Sequence, residues 1–356
     1  MRGATRERLD ALVAAVSDLP AHLPEIMRKY RAGNAELSHW ITAVRAQGRQ
    51  VALVVMIERF GDIVACLPIA QHLRKSRPEL AVAWICAERF ASLPSASPAV
   101  DAVFTEESIA TWLMTKKHLP ADLECHELFL DTQRCTWTGL RPPKARSGIT
   151  HANYLRDGSD LLTAYSRAAG LQGVADVQPE LRLPRLEPSW EGRLALGPLM
   201  AVHFDSEDPD RRLSEDSARA FVAKALKLGW TVVELGLRPV VSANDPRVLF
   251  PGRGLPLIQQ VALLNTATYF AGTLSGFMVC ANALSKPATV FIGTFRGFTT
   301  VRPASGTFWI EQWDCIYGPW PACQCPVGVA VDHVPIPENH MKGPGSVILR
   351  TPDLLC

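Results

Sequence analysis

The chain has 356 residues, too many for one ordinary core and enough for two domains of about 150 residues each. Hydrophobic residues make up 47% and charged residues 20% of the sequence, as in an ordinary globular protein. The net charge of +2 excludes the broad basic field of a nucleic-acid-binding protein, so no nucleic-acid partner is expected. Any site for an anion should therefore be local, built from a few arginines and helix N-termini.

The sequence has no apolar run long enough for a transmembrane helix, and its charged start, MRGATRERLD, is unlike a signal peptide. The nine cysteines are scattered, which favours reduced thiols and a cytoplasmic location. Cys315, Cys323 and Cys325 cluster in a segment rich in proline and glycine. We interpret these three as free or loosely structural thiols, with a metal or disulfide role as the alternative.

Residues 1–48 show helical spacing of apolar residues, interrupted by Pro20 and Pro24, which predicts at least two helices ahead of the first strand. We interpret this helical extension as a packing element and a candidate surface for self-association.

The rest of the chain alternates strand and helix patterns in two halves, separated by a proline-rich passage. We predict one domain at 49–185 and a second at 186–356. Alternation of this kind predicts an α/β fold with two parallel sheets covered by helices. In chain order, the first half has strands at 50–57, 80–86, 100–104 and 128–131, with helices at 63–77, 90–95 and 160–169. The second half has strands at 200–204, 231–235, 269–271 and 288–292, with helices at 214–228, 257–265 and 277–284.

The stretch VALVVMIERFGDIVACL predicts a buried strand, a short loop with Gly61, and a helix that begins near Asp62. Open α/β sheets bind ligands at the carboxyl ends of their strands, which is where this loop lies. An aspartate at a helix start is most often an N-cap, and a catalytic carboxylate is the alternative. Gly61 permits a close approach or a positive φ under either interpretation.

The segment GTLSG, which contains Thr273, Ser275 and Gly276, lies between a predicted strand and a predicted helix. Backbone N–H groups at such a turn can hold a phosphate, and tight packing of the helix on the sheet is the alternative. The segment matches neither GxGxxG nor a Walker A sequence.

The segment DSEDPDRRL follows His203 at the end of a predicted strand. Arg211 and Arg212 could neutralise a diphosphate, or they could belong to a solvated loop. The triplet 208–210 superficially matches the metal-binding DxD pattern, but patterns this short arise by chance and we predict no metal site.

Taken in order, these pieces resemble the glycosyltransferase family 9 proteins, the ADP-heptose:lipopolysaccharide heptosyltransferases and their relatives. The resemblance runs from about Gln50 to about Gly328. Its segments are VALVVMIERFGDIVACLPIAQHLRKSRPEL, AVAWICAERFASLPSASPAVDAVF, the strand end Asp131-Thr132-Gln133, KARSGIT, AVHFDSEDPDRRLSEDSARAF and TATYFAGTLSGFMVCANALSKPATVFIG.

The resemblance implies a GT-B architecture, in which the active site lies between two Rossmann-like domains. It also implies an inverting sugar transfer that needs no bound metal and no cofactor. Asp62 would be the catalytic base. The nucleotide-diphosphate sugar would bind Arg211, Arg212, Thr273, Ser275, Gly276 and His203, and a glycan or glycolipid acceptor would bind Arg59, Gly61, Gln133 and Arg134. Such an enzyme would be cytoplasmic, with peripheral attachment to the inner membrane left open.

Two departures from the family concern the donor side. Leu274 replaces the family's aspartate and Val279 replaces its histidine, and both of those residues help to hold the donor in the family. A non-catalytic subunit that binds a sugar nucleotide or a glycan is therefore the alternative to a transferase. An NAD-dependent oxidoreductase is disfavoured, because the turn after the first strand lacks GxGxxG.

Overall fold

A computed structural model describes residues 28, 30, 33–57, 59–131, 135, 148–150, 160–174, 177–196, 198–206, 211–241, 244–292, 308–311, 314–315, 318–319 and 347–350. These residues fall into two compact units. The ranges of unit 1 are Met1–Glu58, Cys66–Tyr154 and Leu162–Asp176, and those of unit 2 are Arg59–Ala65, Leu155–Leu161 and Val177–Cys356. The segment that carries Gly61 and Asp62 therefore groups with unit 2, although it follows a strand of unit 1.

Unit 1 is built on a parallel sheet of four strands in the order β3-β2-β1-β4. Its elements are α1 (33–46), β1 (Val51–Val55), α2 (Phe60–Ser76, whose first residues 60–65 group with unit 2), β2 (Ala81–Cys86), a 3₁₀ turn (Glu88–Phe90), α3 (Ser92–Ser95), β3 (Ala102–Thr105), α4 (Ile109–Lys116), β4 (Glu124–Glu127) and α5 (Leu161–Ala168, whose first residue groups with unit 2).

The core of unit 1 lies around the two central strands. Every residue of β1 and β2 is buried, as expected for parallel strands covered on both faces. Leu37, Ile41 and Val44 of α1 belong to the same apolar cluster, and Trp40 packs edge-on against Phe104 at 5.6 Å between ring centroids. The apolar face of α1 is thus used inside the unit. Self-association through the N-terminal helices stays a prediction.

Unit 2 is built on a parallel sheet of seven strands in the order β13-β10-β9-β8-β5-β6-β7. Its elements are α6 (Pro188–Glu191), a 3₁₀ turn (Gly192–Leu196), β5 (Leu199–His203), α7 (Glu215–Lys227), β6 (Thr231–Glu234), β7 (Val248–Leu249), a 3₁₀ turn (Gly252–Gly254), α8 (Leu257–Thr266), β8 (Tyr269–Thr273), α9 (Gly276–Ala283), β9 (Ala288–Ile292), β10 (Phe308–Glu311), β11 (Asp314–Cys315), β12 (Gly318–Pro319) and β13 (Val347–Arg350).

The strand order of unit 2 reverses direction at β5. The chain runs from β5 to β6 and β7 on one side, then returns to place β8 on the other side. An apolar cluster beneath this sheet includes three mutually packed rings, Phe204, Phe221 and Phe291, with centroids 5.5–6.1 Å apart. The carboxyl ends of β5 and β8 therefore form a topological switch point, the place where open α/β sheets bind ligands. The apolar cluster packs against the strands that carry it.

The predicted α/β fold with two parallel sheets is confirmed, while two local predictions are wrong. The strand expected at 128–131 lies at Glu124–Glu127, directly before that apolar run. The sequence pattern did not predict β4 because most of its residues are polar. They are tolerated because β4 is an edge strand whose charges are paired: Arg77 donates two hydrogen bonds of 2.6 Å to Glu124. Helix α2 begins at Phe60, so Gly61 lies in its first turn and not in a loop.

No described helix combines the length and the apolar character that crossing a membrane requires.

Candidate functional site

The switch point of unit 2 brings together three residues that the sequence singled out. His203 ends β5 and is paired in register with Gly272, and Thr273 ends the neighbouring strand β8. Ser275 follows as the N-cap of α9. The structure therefore gathers His203, Thr273 and Ser275 at one edge of the sheet.

Ser275 connects the start of α9 to His203. Its extended backbone, with φ −143° and ψ 170°, is typical of an N-cap, and its Oγ accepts a hydrogen bond from the Met278 N–H at 3.4 Å. The same Oγ lies 3.0 Å from Nδ1 of His203. The positive end of the α9 dipole thus faces the His203 side of the switch point, an arrangement that can hold an anion.

His203 is held in an environment that keeps its imidazole neutral. Its ring packs against Phe277, with 5.0 Å between centroids, and against the backbone of Gly236. Burial lowers the pKa of His203 to about 4, although the nearby charge of Asp205 acts in the opposite direction. At neutral pH this side chain can therefore donate or accept a hydrogen bond, but it supplies no positive charge to a ligand.

The Phe60-Gly61 pair lies directly against the start of α9, within unit 2. A Cβ on Gly61 would come within 2.8 Å of the Gly276 Cα, and a Cβ on Gly276 would overlap the Phe60 ring. Phe60 also packs edge-on against Phe277, with 5.3 Å between centroids. The close approach requires glycine at both positions. It leaves the Phe60 ring over one side of the predicted phosphate cradle, by which we mean Ser275 and the backbone N–H groups at the start of α9.

Asp62 is the third residue of α2, in its first turn, so the interpretation as an N-cap is wrong. Its side chain is 7% exposed and engages other groups of the protein. The preceding Arg59 has φ 70°, a left-handed conformation that is costly for a side chain of this size. Strained backbone beside a buried carboxylate is common at functional sites, and the catalytic role of Asp62 stays a prediction.

Arg211 and Arg212 are the two arginines predicted to bind a diphosphate, and they directly follow residues 207–210, which lie outside the described residues. Arg212 forms an ion pair of 3.1 Å with Asp205 and donates a 2.6 Å hydrogen bond to the Ser206 carbonyl. Arg211 is partly buried and engages other groups. Arg212 therefore stabilises the loop after β5, and diphosphate binding by either arginine stays a prediction.

The two departures from the family motif are packed into the core. Leu274 is 1% exposed and Val279 is 3% exposed. Apolar side chains at these positions cannot form hydrogen bonds to a nucleotide-sugar donor. Any anion at this site would therefore depend on the backbone N–H groups of α9, on Ser275 and on His203.

Several candidates lie outside the described residues, namely Gln133, Arg134, Asp208, Asp210, Cys323 and Cys325. Within the part of the chain that the structure describes, no three histidine, cysteine, aspartate or glutamate side chains come together as a metal site.

The structure adds four residues that the sequence interpretation missed. Phe60 and Phe277 flank the start of α9, while Gly236 lies against the His203 ring and donates its N–H to Gln260. Gly236 directly follows a predicted strand, a position where glycine often marks a close approach, so a signal was present. Gln260 is a polar residue within an apolar helix pattern, and such a residue gives no indication of its partners.

Comparison with known proteins identifies the fold. No family model and no curated protein matches this sequence. Among solved structures, a glycosyl transferase family 9 protein from Veillonella parvula is 14% identical, covers 74% of this chain and 86% of its own, and has a TM-score of 0.56. The fold is therefore of the GT-B type predicted from the family 9 resemblance.

Two further neighbours from E. coli are similar at a lower level. The ADP-heptose lps heptosyltransferase II is 15% identical, with 68% of this chain and 84% of that chain covered and a TM-score of 0.49. Heptosyltransferase WaaC with ADP is also 15% identical, with 68% and 87% covered and a TM-score of 0.46.

Proposed function

We propose that this chain is an inverting glycosyltransferase of the family 9 type, which needs no metal ion. It would transfer a heptose or related sugar from a nucleotide-diphosphate sugar to a hydroxyl of a cell-surface glycan or glycolipid. The observation that carries the proposal is the contact between His203 and Ser275 at the switch point, because it orients a helix N-terminus toward the edge where this fold binds ligands. The GT-B fold supports the choice of reaction class.

In this reaction the diphosphate would lie at the N-terminus of α9, with Ser275 and His203 as hydrogen-bond partners. Asp62 would accept the proton of the acceptor hydroxyl as its oxygen bonds to the anomeric carbon. The bond from that carbon to the diphosphate oxygen breaks at the same time, and the diphosphate leaves with the electron pair. The dipole of α9 would stabilise the negative charge that develops on the leaving group.

The experiment measures release of nucleoside diphosphate from ADP-heptose, ADP-glucose, UDP-glucose, GDP-mannose and dTDP-glucose, with water as the acceptor. Asp62→Asn should keep nucleotide affinity but lower turnover by roughly 10²–10⁴-fold, because it removes the general base and keeps the side-chain shape. Asp122→Asn, at an exposed carboxylate paired with Arg45, is the control and should retain wild-type turnover. Undiminished turnover in Asp62→Asn would refute the assignment.

A second candidate function is a non-catalytic subunit that binds a sugar nucleotide or a glycan. The burial of apolar Leu274 and Val279 favours it, since neither side chain can hold a donor. Binding of a sugar nucleotide without turnover, by wild type and Asp62→Asn alike, would support this second function over the first.

A further inference from the structure

Gln260 is a buried polar residue, 2% exposed, on the inner face of α8. Its Oε1 accepts a hydrogen bond of 2.8 Å from the Gly236 N–H. Its Nε2 donates to the carbonyls of Leu255 at 3.0 Å and Gly252 at 3.3 Å. One side chain therefore joins the loop that follows β6 to the turn that follows β7.

The loop held by Gln260 also supports the switch point. Gly236 has φ 110°, and a Cβ there would lie 3.0 Å from Cδ2 and 3.1 Å from Nε2 of His203. His203 in turn contacts Ser275 through Nδ1. A continuous chain of contacts thus runs from Gln260 through Gly236 and His203 to the N-cap of α9, across the carboxyl ends of the adjacent strands β7, β6, β5 and β8.

We propose that Gln260 is a positioning residue for the nucleotide site, because it holds Gly236 against the His203 ring and so keeps that ring directed at Ser275. The proposal rests on the proposed function, in which His203 and Ser275 contact the diphosphate. Gln260 itself touches no ligand. Its three hydrogen bonds fix the backbone that limits how far the His203 ring can move.

Removal of these bonds should affect His203 in a way that a general loss of stability would not. Gln260→Met keeps a side chain of similar length but loses all three hydrogen bonds. The Gly236 loop would then loosen and admit water to the imidazole. Since burial is what lowers the pKa of His203 to about 4, hydration should move that pKa toward its ordinary value of 6.5.

The test combines nucleotide affinity with an NMR titration of the His203 ring, using ADP, UDP, GDP and dTDP as probes. Gln260→Met should weaken binding of the nucleotide that wild type prefers by about tenfold, the scale of one buried hydrogen bond. Gln259→Met is the matched control, because Gln259 is its neighbour on α8 and donates to the Arg185 carbonyl at 3.1 Å. It should leave both the affinity and the His203 titration unchanged.

A second variant shows whether an effect of Gln260→Met comes from the lost hydrogen bonds or from misfolding. Gln260→Glu keeps an acceptor for the Gly236 N–H, and burial favours its protonated form, so it should retain most of the wild-type affinity. If Gln260→Met lowers thermal stability while the His203 pKa and the nucleotide affinity stay at wild-type values, Gln260 has a structural role only and the inference is wrong. If wild type binds none of the four nucleoside diphosphates, the proposed function fails, and the His203 titration alone still decides whether Gln260 positions the ring.

Discussion

At the scale of single residues, Phe60 determines how open the predicted phosphate cradle is. Its ring occupies the space beside Gly276 and packs edge-on on Phe277. A diphosphate that reaches the first N–H groups of α9 from this side must displace the ring. Phe60 and an anion are therefore expected to compete for one face of the helix start.

Phe60→Ala should accordingly tighten binding of ADP or UDP. Displacing an aromatic contact costs about 0.5–1.5 kcal/mol, so the dissociation constant should fall by roughly twofold to tenfold. Isothermal titration calorimetry on wild type and variant measures this change. Phe60→Leu, which retains an apolar side chain of smaller volume, should give an intermediate value. Weaker binding in Phe60→Ala would mean that the ring contacts the nucleotide and does not exclude it.

Glu234 is a second residue whose chemistry follows from its position. It ends β6, is 1% exposed, and accepts hydrogen bonds from the N–H groups of Val240, at 2.6 Å, and Val241, at 3.1–3.2 Å. Burial raises its pKa to about 7, the two N–H groups act in the opposite direction, and the charge of Asp205 adds to the rise. The folded protein therefore binds a proton at this site more tightly than the unfolded chain does.

This difference predicts a dependence of stability on pH. The raised pKa contributes stability that is fully present below the ordinary value of 4.5 and is lost as pH rises through about 7. Relative to Glu234→Gln, wild type should be more stable at pH 5 than at pH 8 by on the order of 2 kcal/mol. Thermal unfolding of both proteins at the two pH values measures this. An equal difference between the two proteins at pH 5 and pH 8 would contradict the prediction.

At the scale of elements, the sequence predicted the central strands and the long helices because their patterns are strong. Val51–Val55 and Ala81–Cys86 are continuous apolar runs, which is typical of parallel strands buried on both faces. Strand β4 was missed because its residues, ECHE, are mostly polar, and a strand of such residues depends on partners from elsewhere in the chain. Glu127, for example, accepts 2.7 Å and 2.6 Å hydrogen bonds from Trp112 and Lys116. Those partners come from the intervening helix α4, which was not predicted either.

The candidate site shows the same division between local and long-range signals. Ser275 was recognisable because a serine before an apolar run is a local signal for an N-cap. The contact of Gly61 with Gly276 was not recognisable as a pair, since it joins segments from opposite halves of the sequence. Gln260 and Gly236 are linked in the same long-range way. Local chemistry therefore identified the individual residues, and only the packing showed which of them act together.

At the scale of the whole molecule, the proposed function predicts stabilisation by a sugar nucleotide. A ligand that binds only the folded protein raises the unfolding free energy by about 2.7 kcal/mol at a concentration 100 times its dissociation constant. A thermal-shift panel of ADP-, UDP-, GDP- and dTDP-sugars should therefore raise the melting temperature by a few degrees for one base and much less for the others.

The panel needs one internal control, because phosphate alone can stabilise a helix N-terminus. Inorganic pyrophosphate supplies the diphosphate without a base or a sugar, so it should give a smaller shift than the preferred sugar nucleotide. If pyrophosphate matched that shift, the site would be an anion cradle without nucleotide selectivity. If no sugar nucleotide shifted the melting temperature while pyrophosphate also had no effect, both the transferase and the sugar-nucleotide-binding function would be wrong. In that case, the contact of His203 with Ser275 would serve only to hold α9 against the sheet.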